Sequence, residues 1–313
     1  MRVVALAGGT GGAKLAHGLQ LVLPAGDLAV VVNTGDDIER HGLLVMPDHD
    51  AVLYMLDGRF DDARGWGIAG ETWTVMDELE RYGEEAWFRL GDRDFATHIA
   101  RGARLRGGAT LTDAVLSLQT ARGIPTPILP MADEPVRTKV RTDDGWLDFQ
   151  EYFVHRRQAP EVHEIRFDGI DAAQPTPRVM SAIDAAELVL IGPSNPFASI
   201  GPILALPGMR HRIMAARSRG VPVIAVSPIV QGVALKGPAD RMMASLGHES
   251  SAAGVAALYA DLLTGFVLDA VDAALEPTIR ALGMRTLVTD TIMADDAGRA
   301  RLARTIMEFG GTS

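Results

Sequence analysis

The chain has 313 residues, 47% of them hydrophobic, which is enough to bury a sizeable core in one domain. A formal net charge of −10 argues against a nucleic-acid groove, which needs concentrated Lys and Arg, and no apolar run is long enough to span a membrane. With no cysteine there are no disulfides, thiolate metal sites or cysteine nucleophiles, and the expected location is a reducing cytoplasm.

Residues 2–7 read as a buried parallel strand, too short for a signal-peptide core. The glycine-rich turn Gly8-Gly9-Thr10-Gly11-Gly12 follows, then a helical pattern over 13–23 and a second strand over 28–33. This is a β-α-β unit, so a parallel sheet with a right-handed crossover is expected. Glycine lets the backbone approach a ligand, and the helix behind it offers unpaired N–H groups, with Lys14 as an added charge. The spacing is neither the Walker pattern nor the dinucleotide fingerprint. The competing reading is a packed turn without a ligand.

After Asn33 comes the turn Thr34-Gly35-Asp36-Asp37. Residues 48–56 form a helical pattern with Asp48 as its expected N-cap and Asp50 in its first turn. Ligands of parallel sheets bind beyond the carboxyl ends of the strands, so these acids should lie near the glycine turn. Carboxylates beside a phosphate need a cation between them, and Mg²⁺ prefers one or two carboxylates plus phosphate oxygens. The alternative is ordinary helix capping by Asp36 and Asp48.

Residues 59–113 look mostly helical, and 111–122 form another helix opened by Thr110 or Thr112. Gly91-Asp92-Arg93-Asp94, followed by Thr97-His98, fits either an arginine fork for an anion or a surface ion-pair cluster. Residues 124–178 carry short alternating runs around Asp144-Gly145, a hairpin signal. The span of roughly 59–178 therefore reads as an inserted subdomain of a single 1–313 domain, helical to about 122 and strand-rich after. The doubly wound pattern returns with strands over 187–192, 221–226 and 265–268, and helices over 209–219, 252–263 and 297–307. Gly192-Pro193-Ser194-Asn195-Pro196 and Ser227-Pro228 end two of these strands, as ligand-facing or merely rigid turns. The expected fold is α/β, a doubly wound, mostly parallel Rossmann-like sheet.

Several strings, in order, resemble the 2-phospho-L-lactate transferases that assemble the deazaflavin coenzyme F(420). They are Gly8-Gly-Thr-Gly-Gly-Ala-Lys14, Val32-Asn-Thr-Gly-Asp-Asp37, Pro47-Asp-His-Asp50, Arg64-Gly-Trp-Gly67, Leu90-Gly-Asp-Arg-Asp94 with Ala96-Thr-His98, Ile128-Leu-Pro-Met131, Ile191-Gly-Pro-Ser-Asn-Pro196 and Val226-Ser-Pro-Ile229. The resemblance implies transfer of a phospho-small-acid group from a guanosine diphosphate donor to the ribityl 5′-hydroxyl of 7,8-didemethyl-8-hydroxy-5-deazariboflavin, with release of GMP. It also implies Mg²⁺ and a homodimer. By this resemblance the acceptor lies against Asp50 and Arg93, with His98 beside it. The diphosphate and nucleotide would rest on Gly9, Thr10, Gly11, Gly12, Lys14, Asn33, Ser194, Asn195 and Ser227. Asp36, Asp37 and Asp48 would hold the cation, Asp50 would orient the hydroxyl and accept its proton, and Asp37 and Arg93 would complete the catalytic set.

Two alternatives stand beside this. A non-catalytic nucleotide-sugar-binding regulatory family shares the Gly-Gly-Thr-Gly start and the second-strand Asn, but the Pro47–Asp50 and Gly91–His98 strings fit the transferases better. A generic Rossmann oxidoreductase would need the Gly-x-Gly-x-x-Gly spacing.

Overall fold

The computed structural model describes residues 1–311. Seven strands form one parallel sheet: β1 (Val3–Ala7), β2 (Leu28–Val32), β3 (Ile128–Pro130), β4 (Leu188–Ile191), β5 (Val223–Val226), β6 (Gly265–Asp269) and β7 (Arg285–Thr289). Across the sheet they run β7-β6-β5-β4-β1-β2-β3. That is the dinucleotide-binding order, extended by one strand, with its switch point between β1 and β4.

The strands are apolar on both faces because both faces are covered. Val4, Leu6, Val31, Val189, Ile191, Ala225 and Phe266 point into one core, against helices that include Pro177–Ala185 and Met209–Ser218. The alternate residues Val3, Ala5, Val30, Val32, Leu190 and Ile224 point into the other. There they meet α1 (Gly9–Val22), α2 (Pro47–Leu56) and the C-terminal helix Asp296–Gly311. The period of two along each strand assigns each residue to one of the two layers.

Three local expectations change. Helix α1 begins at Gly9 rather than at residue 13, so the glycines are its first turn. Helix α2 begins at Pro47 with Met46 as N-cap, so Asp48 is inside the helix and does not cap it. Proline suits that first position because its missing N–H has no helical partner there. The helix expected over 252–263 ends at Leu258. A hairpin of Ile38–Arg40 and Leu43–Val45, and strand β7, carried too weak an apolar alternation to read.

Between residues 59 and 178 lie α3 (Thr74–Arg81), α4 (Asp92–Arg106), α5 (Leu111–Arg122) and an antiparallel sheet of Gly145–Asp148, Arg137–Thr142 and Glu164–Asp168. The hairpin in that sheet turns on Asp143 and Asp144, with Gly145 opening its second strand. The same span also contributes β3, which pairs with β2 at the edge of the central sheet. Among the described residues no helix is long and apolar enough to cross a membrane.

Candidate active site

The switch point brings the turn after β1 against the turn after β4. Ser194 fastens them: its Oγ donates to the Gly8 carbonyl at 2.8 Å and accepts from the Gly8 N–H at 3.2 Å. A Cβ on Gly11 would lie 2.2 Å from the Pro193 carbonyl oxygen, so only glycine lets the turns approach this closely. Gly12 is likewise pressed against Ala7 and Ser194.

The second strand delivers the acids. Asn33 is fully buried at its end. Its side-chain amide donates to Asp48 Oδ2 at 2.9 Å, Asp36 Oδ1 at 3.3 Å and the Ala198 carbonyl at 3.1 Å. Gln150 donates to the other Asp36 oxygen at 2.9 Å. Freed from capping its own helix, Asp48 reaches across and accepts the Gly9 N–H at 2.5 Å, at the N-terminus of α1. An anion therefore already stands at the positive end of that helix dipole. Burial pushes the carboxyl of Asp48 up to about 6. Asp36 is raised well above the usual carboxylate range by burial and then by the charges of Asp48 and Asp37. Asp37 is raised by burial, against the opposing pull of Arg137 and Arg101, and its Oδ1 has no hydrogen-bond partner.

Asp50, one helical residue pair further on, has the opposite character. Its two oxygens accept from the guanidinium of Arg101 at 2.6 and 2.9 Å. Arg101 has no exposed surface; it also donates to the Leu44 carbonyl at 2.9 Å and contacts His98 Nδ1 at 2.8 Å. Burial alone would raise Asp50, but the Arg101 charge holds it well below the usual range. A carboxylate so paired is a fixed acceptor and a poor proton store. His98 is 1% exposed, lowered to about 4 by burial, and its Nε2 is unpartnered. His49 is also buried, with Nδ1 3.5 Å from Asp50 Oδ1 and Nε2 without a hydrogen-bond partner. On the first turn of α4, burial raises Asp94 to about 6.

The expected residues thus separate into groups. Gly9, Asn33, Asp36, Asp37 and Asp48 converge at the switch point, with Asp50 and His98 in an adjoining buried polar cluster. Thr10 donates through Oγ1 to the Gly65 carbonyl at 3.0 Å. Lys14 turns toward the C-terminal segment, donating to the Met293 carbonyl at 3.1 Å and lying 3.5 Å from Asp62. Asn195 accepts the N–H groups of Phe197 and Ala198, and Ser227 closes a local turn with Ile229. Arg93 is exposed, with bonds to the Ala69 carbonyl and Glu71. The arginine on Asp50 is Arg101, which the sequence reading missed although it follows His98 by three residues on one helical face. Gln150 gave no signal at all.

The family model described as "2-phospho-L-lactate transferase CofD" matches residues 3–292. The chain belongs to this family. Membership makes it an enzyme, a transferase of a phosphate-bearing group. A 2-phospho-L-lactate transferase of Methanosarcina mazei is 40% identical over 98% of this chain and 99% of its own length. A phosphoenolpyruvate transferase of Streptomyces griseus is 44% identical over 99% of this chain and 98% of its own. Another, from Streptomyces avermitilis, is 43% identical over 97% and 96%. A solved Bacillus halodurans member of the UPF0052 family superposes with a TM-score of 0.68 at 12% identity, covering 98% of both chains, and shares the fold.

Proposed function

We propose that this chain transfers a phospho-small-acid group from a guanosine diphosphate donor to the ribityl 5′-hydroxyl of the deazaflavin 7,8-didemethyl-8-hydroxy-5-deazariboflavin, releasing GMP in coenzyme F(420) assembly. The observation that supports it most is the Asn33 amide joining Asp36 to Asp48 while Asp48 occupies the Gly9 N–H. Acids gathered at a phosphate-binding helix end suit chemistry in which a cation lies between carboxylates and phosphate.

The residues present fit Mg²⁺. Among the described residues no group of three or more His, Asp or Glu side chains is placed to hold a metal ion by itself, so most ligands of a bound cation would come from substrate and water. Two carboxylates around one amide and the unpartnered Asp37 Oδ1 match a hard cation that takes its other ligands from substrate phosphates and water. One or two of Asp36, Asp37 and Asp48 would ligate it, directly or through water, and its charge would neutralise the phosphoryl oxygens. The N-terminal turn of α1, Gly9 to Gly12, would receive the donor's diphosphate. The acceptor would lie against the buried cluster of Asp50, His98 and His49, where the unpartnered Nε2 atoms of the two histidines offer bonds to a polar ring or chain. Asp50, locked by Arg101, would orient the ribityl hydroxyl as an acceptor of its hydrogen bond. Phosphoryl transfer draws mostly on positioning and charge neutralisation, so an orienting carboxylate suffices there.

The curated relatives include both 2-phospho-L-lactate and phosphoenolpyruvate transferases. The test therefore offers the protein, with Mg²⁺ and the deazaflavin, each guanylyl donor in turn, and follows GMP and the product by mass spectrometry. Transfer from one or both donors is expected, with loss of turnover in Asp50→Asn. No transfer with any donor would end this reading.

A further inference from the structure

The string Arg64-Gly65-Trp66-Gly67 has no role in the site described above, yet it lies directly over the glycine turn. The loop is narrow at its base, where Phe60 bridges Ile68, and tightly turned at Asp61, whose carboxylate accepts the Arg64 N–H at 2.9 Å. Its tip leans on Trp73, with the Trp66 ring at 5.8 Å and the Arg64 guanidinium at 4.9 Å, and two polar links tie the loop to the helices. Thr10, in the first turn of α1, donates to the Gly65 carbonyl at 3.0 Å. Asp62 accepts from Arg299 at 2.5 Å and lies 3.5 Å from the Lys14 ammonium.

Arg299 belongs to the C-terminal helix, and its side chain is only 3% exposed. It also donates to Asp296 at 3.0 Å and contacts His17 of α1 at 3.2 Å. The two helices touch backbone to backbone: a Cβ on Gly18 would lie 2.3 Å from the Arg299 carbonyl oxygen. The guanidinium is therefore fixed by a rigid helix pair, while Asp62, 45% exposed, is the end that depends on it. Lys14, expected to meet a phosphate, instead completes this ion network.

We propose that residues 61–67 are a strap across the phosphate end of α1, and that Arg299, acting through Asp62, is the positioning residue that holds it there. This rests on the reading of the α1 N-terminus as the donor's diphosphate site. The C-terminal helix then sets the geometry of a site it does not touch. Misplacement of a binding segment by about 1 Å can cost as much as 100-fold in rate, so the ion network has leverage on donor binding.

The experiment compares Arg299→Ala, Asp62→Ala, Arg299→Lys and Asp296→Ala in the full chain. Arg299→Ala and Asp62→Ala should each raise the donor KM about tenfold and leave the acceptor KM within about twofold, the signature of a misplaced donor segment. Arg299→Lys should recover part of the loss, and Asp296→Ala, which removes the other carboxylate on Arg299, should change neither constant. A second readout is independent of turnover. Brief trypsin digestion should cut after Arg64 at least several-fold faster in Arg299→Ala and Asp62→Ala, giving a fragment that begins at Gly65. Should Arg299→Ala prove too unstable to assay, Asp62→Ala severs the same link from the exposed side. Folded Asp62→Ala with wild-type donor KM and wild-type cleavage after Arg64 overturns the proposal. So does cleavage that accelerates equally throughout the chain. If no donor supports transfer at all, the cleavage pattern still reports on the strap, so the two ideas fail separately.

Discussion

Replacing Arg101 with Met tests the buried Asp50–Arg101 pair. The side chains have similar length, so packing changes little while the charge is lost. Asp50 would keep a carboxylate with 4% exposure and lose both of its charge-assisted bonds. The Leu44 carbonyl would lose a donor as well. Breaking a buried pair from one side costs about 3–5 kcal/mol, against a total stability of about 5–15 kcal/mol. At about 2.1 cal/mol/K of unfolding entropy per residue, a chain of 313 residues shifts its Tm by roughly 1.5 °C per kcal/mol, so a fall of roughly 5–8 °C is expected. The double variant Asp50→Leu/Arg101→Met removes both charges, and exchange of a buried pair for apolar groups is often neutral. It should recover more than half of the lost stability, with the unpaired Leu44 carbonyl accounting for the remainder. Turnover should stay absent in the double variant, because Asp50 is gone. Thermal and urea unfolding of wild type, Arg101→Met, Asp50→Leu and the double variant would measure the coupling. A cost under about 1 kcal/mol for Arg101→Met, as for an exposed pair, would refute the reasoning. So would a double variant no more stable than the worse single one.

Gly11→Ala would place a methyl 2.2 Å from the Pro193 carbonyl oxygen, forcing apart two backbones that meet at the switch point. Donor affinity should fall at least tenfold, measured by calorimetry with GDP, while unchanged affinity would show that the two turns do not shape the nucleotide site. His98, lowered to about 4 by burial against an unfolded value near 6.5, is neutral in the folded protein, so the unfolded chain takes up the proton first as pH falls. Wild type should therefore lose up to about 3 kcal/mol relative to His98→Gln between pH 6.5 and 4, with the difference constant above pH 7. A difference that is flat across that window would contradict the burial of the imidazole. Chelation of Mg²⁺ should abolish transfer reversibly, and Mg²⁺ alone should raise Tm by binding only the folded acid cluster. Full turnover in excess chelator would remove the cation from the scheme.

Sequence alone determined the layers of this protein. Runs such as Val3 to Ala7 and Leu188 to Ile191 are apolar at every position, as a parallel strand covered on both faces requires. Glycines and short polar turns at the strand ends marked where a ligand would lie. What the sequence left open was partnership across long separations. Asp48 looked like a cap because its neighbours in the chain allowed it, but Gly9, 39 residues away, takes its carboxylate. Arg93 stood out among acids, yet Arg101 holds Asp50, because burial depends on how α4 packs against α2. Ser194, Lys14 and Arg299 are polar residues whose partners lie up to 282 residues away, and no local period encodes such contacts. Apolar burial follows a repeating pattern that one segment can display by itself. The choice of which charges meet is made only when the sheet has brought distant turns to one edge, and that choice surrounds the glycine turn with buried acids.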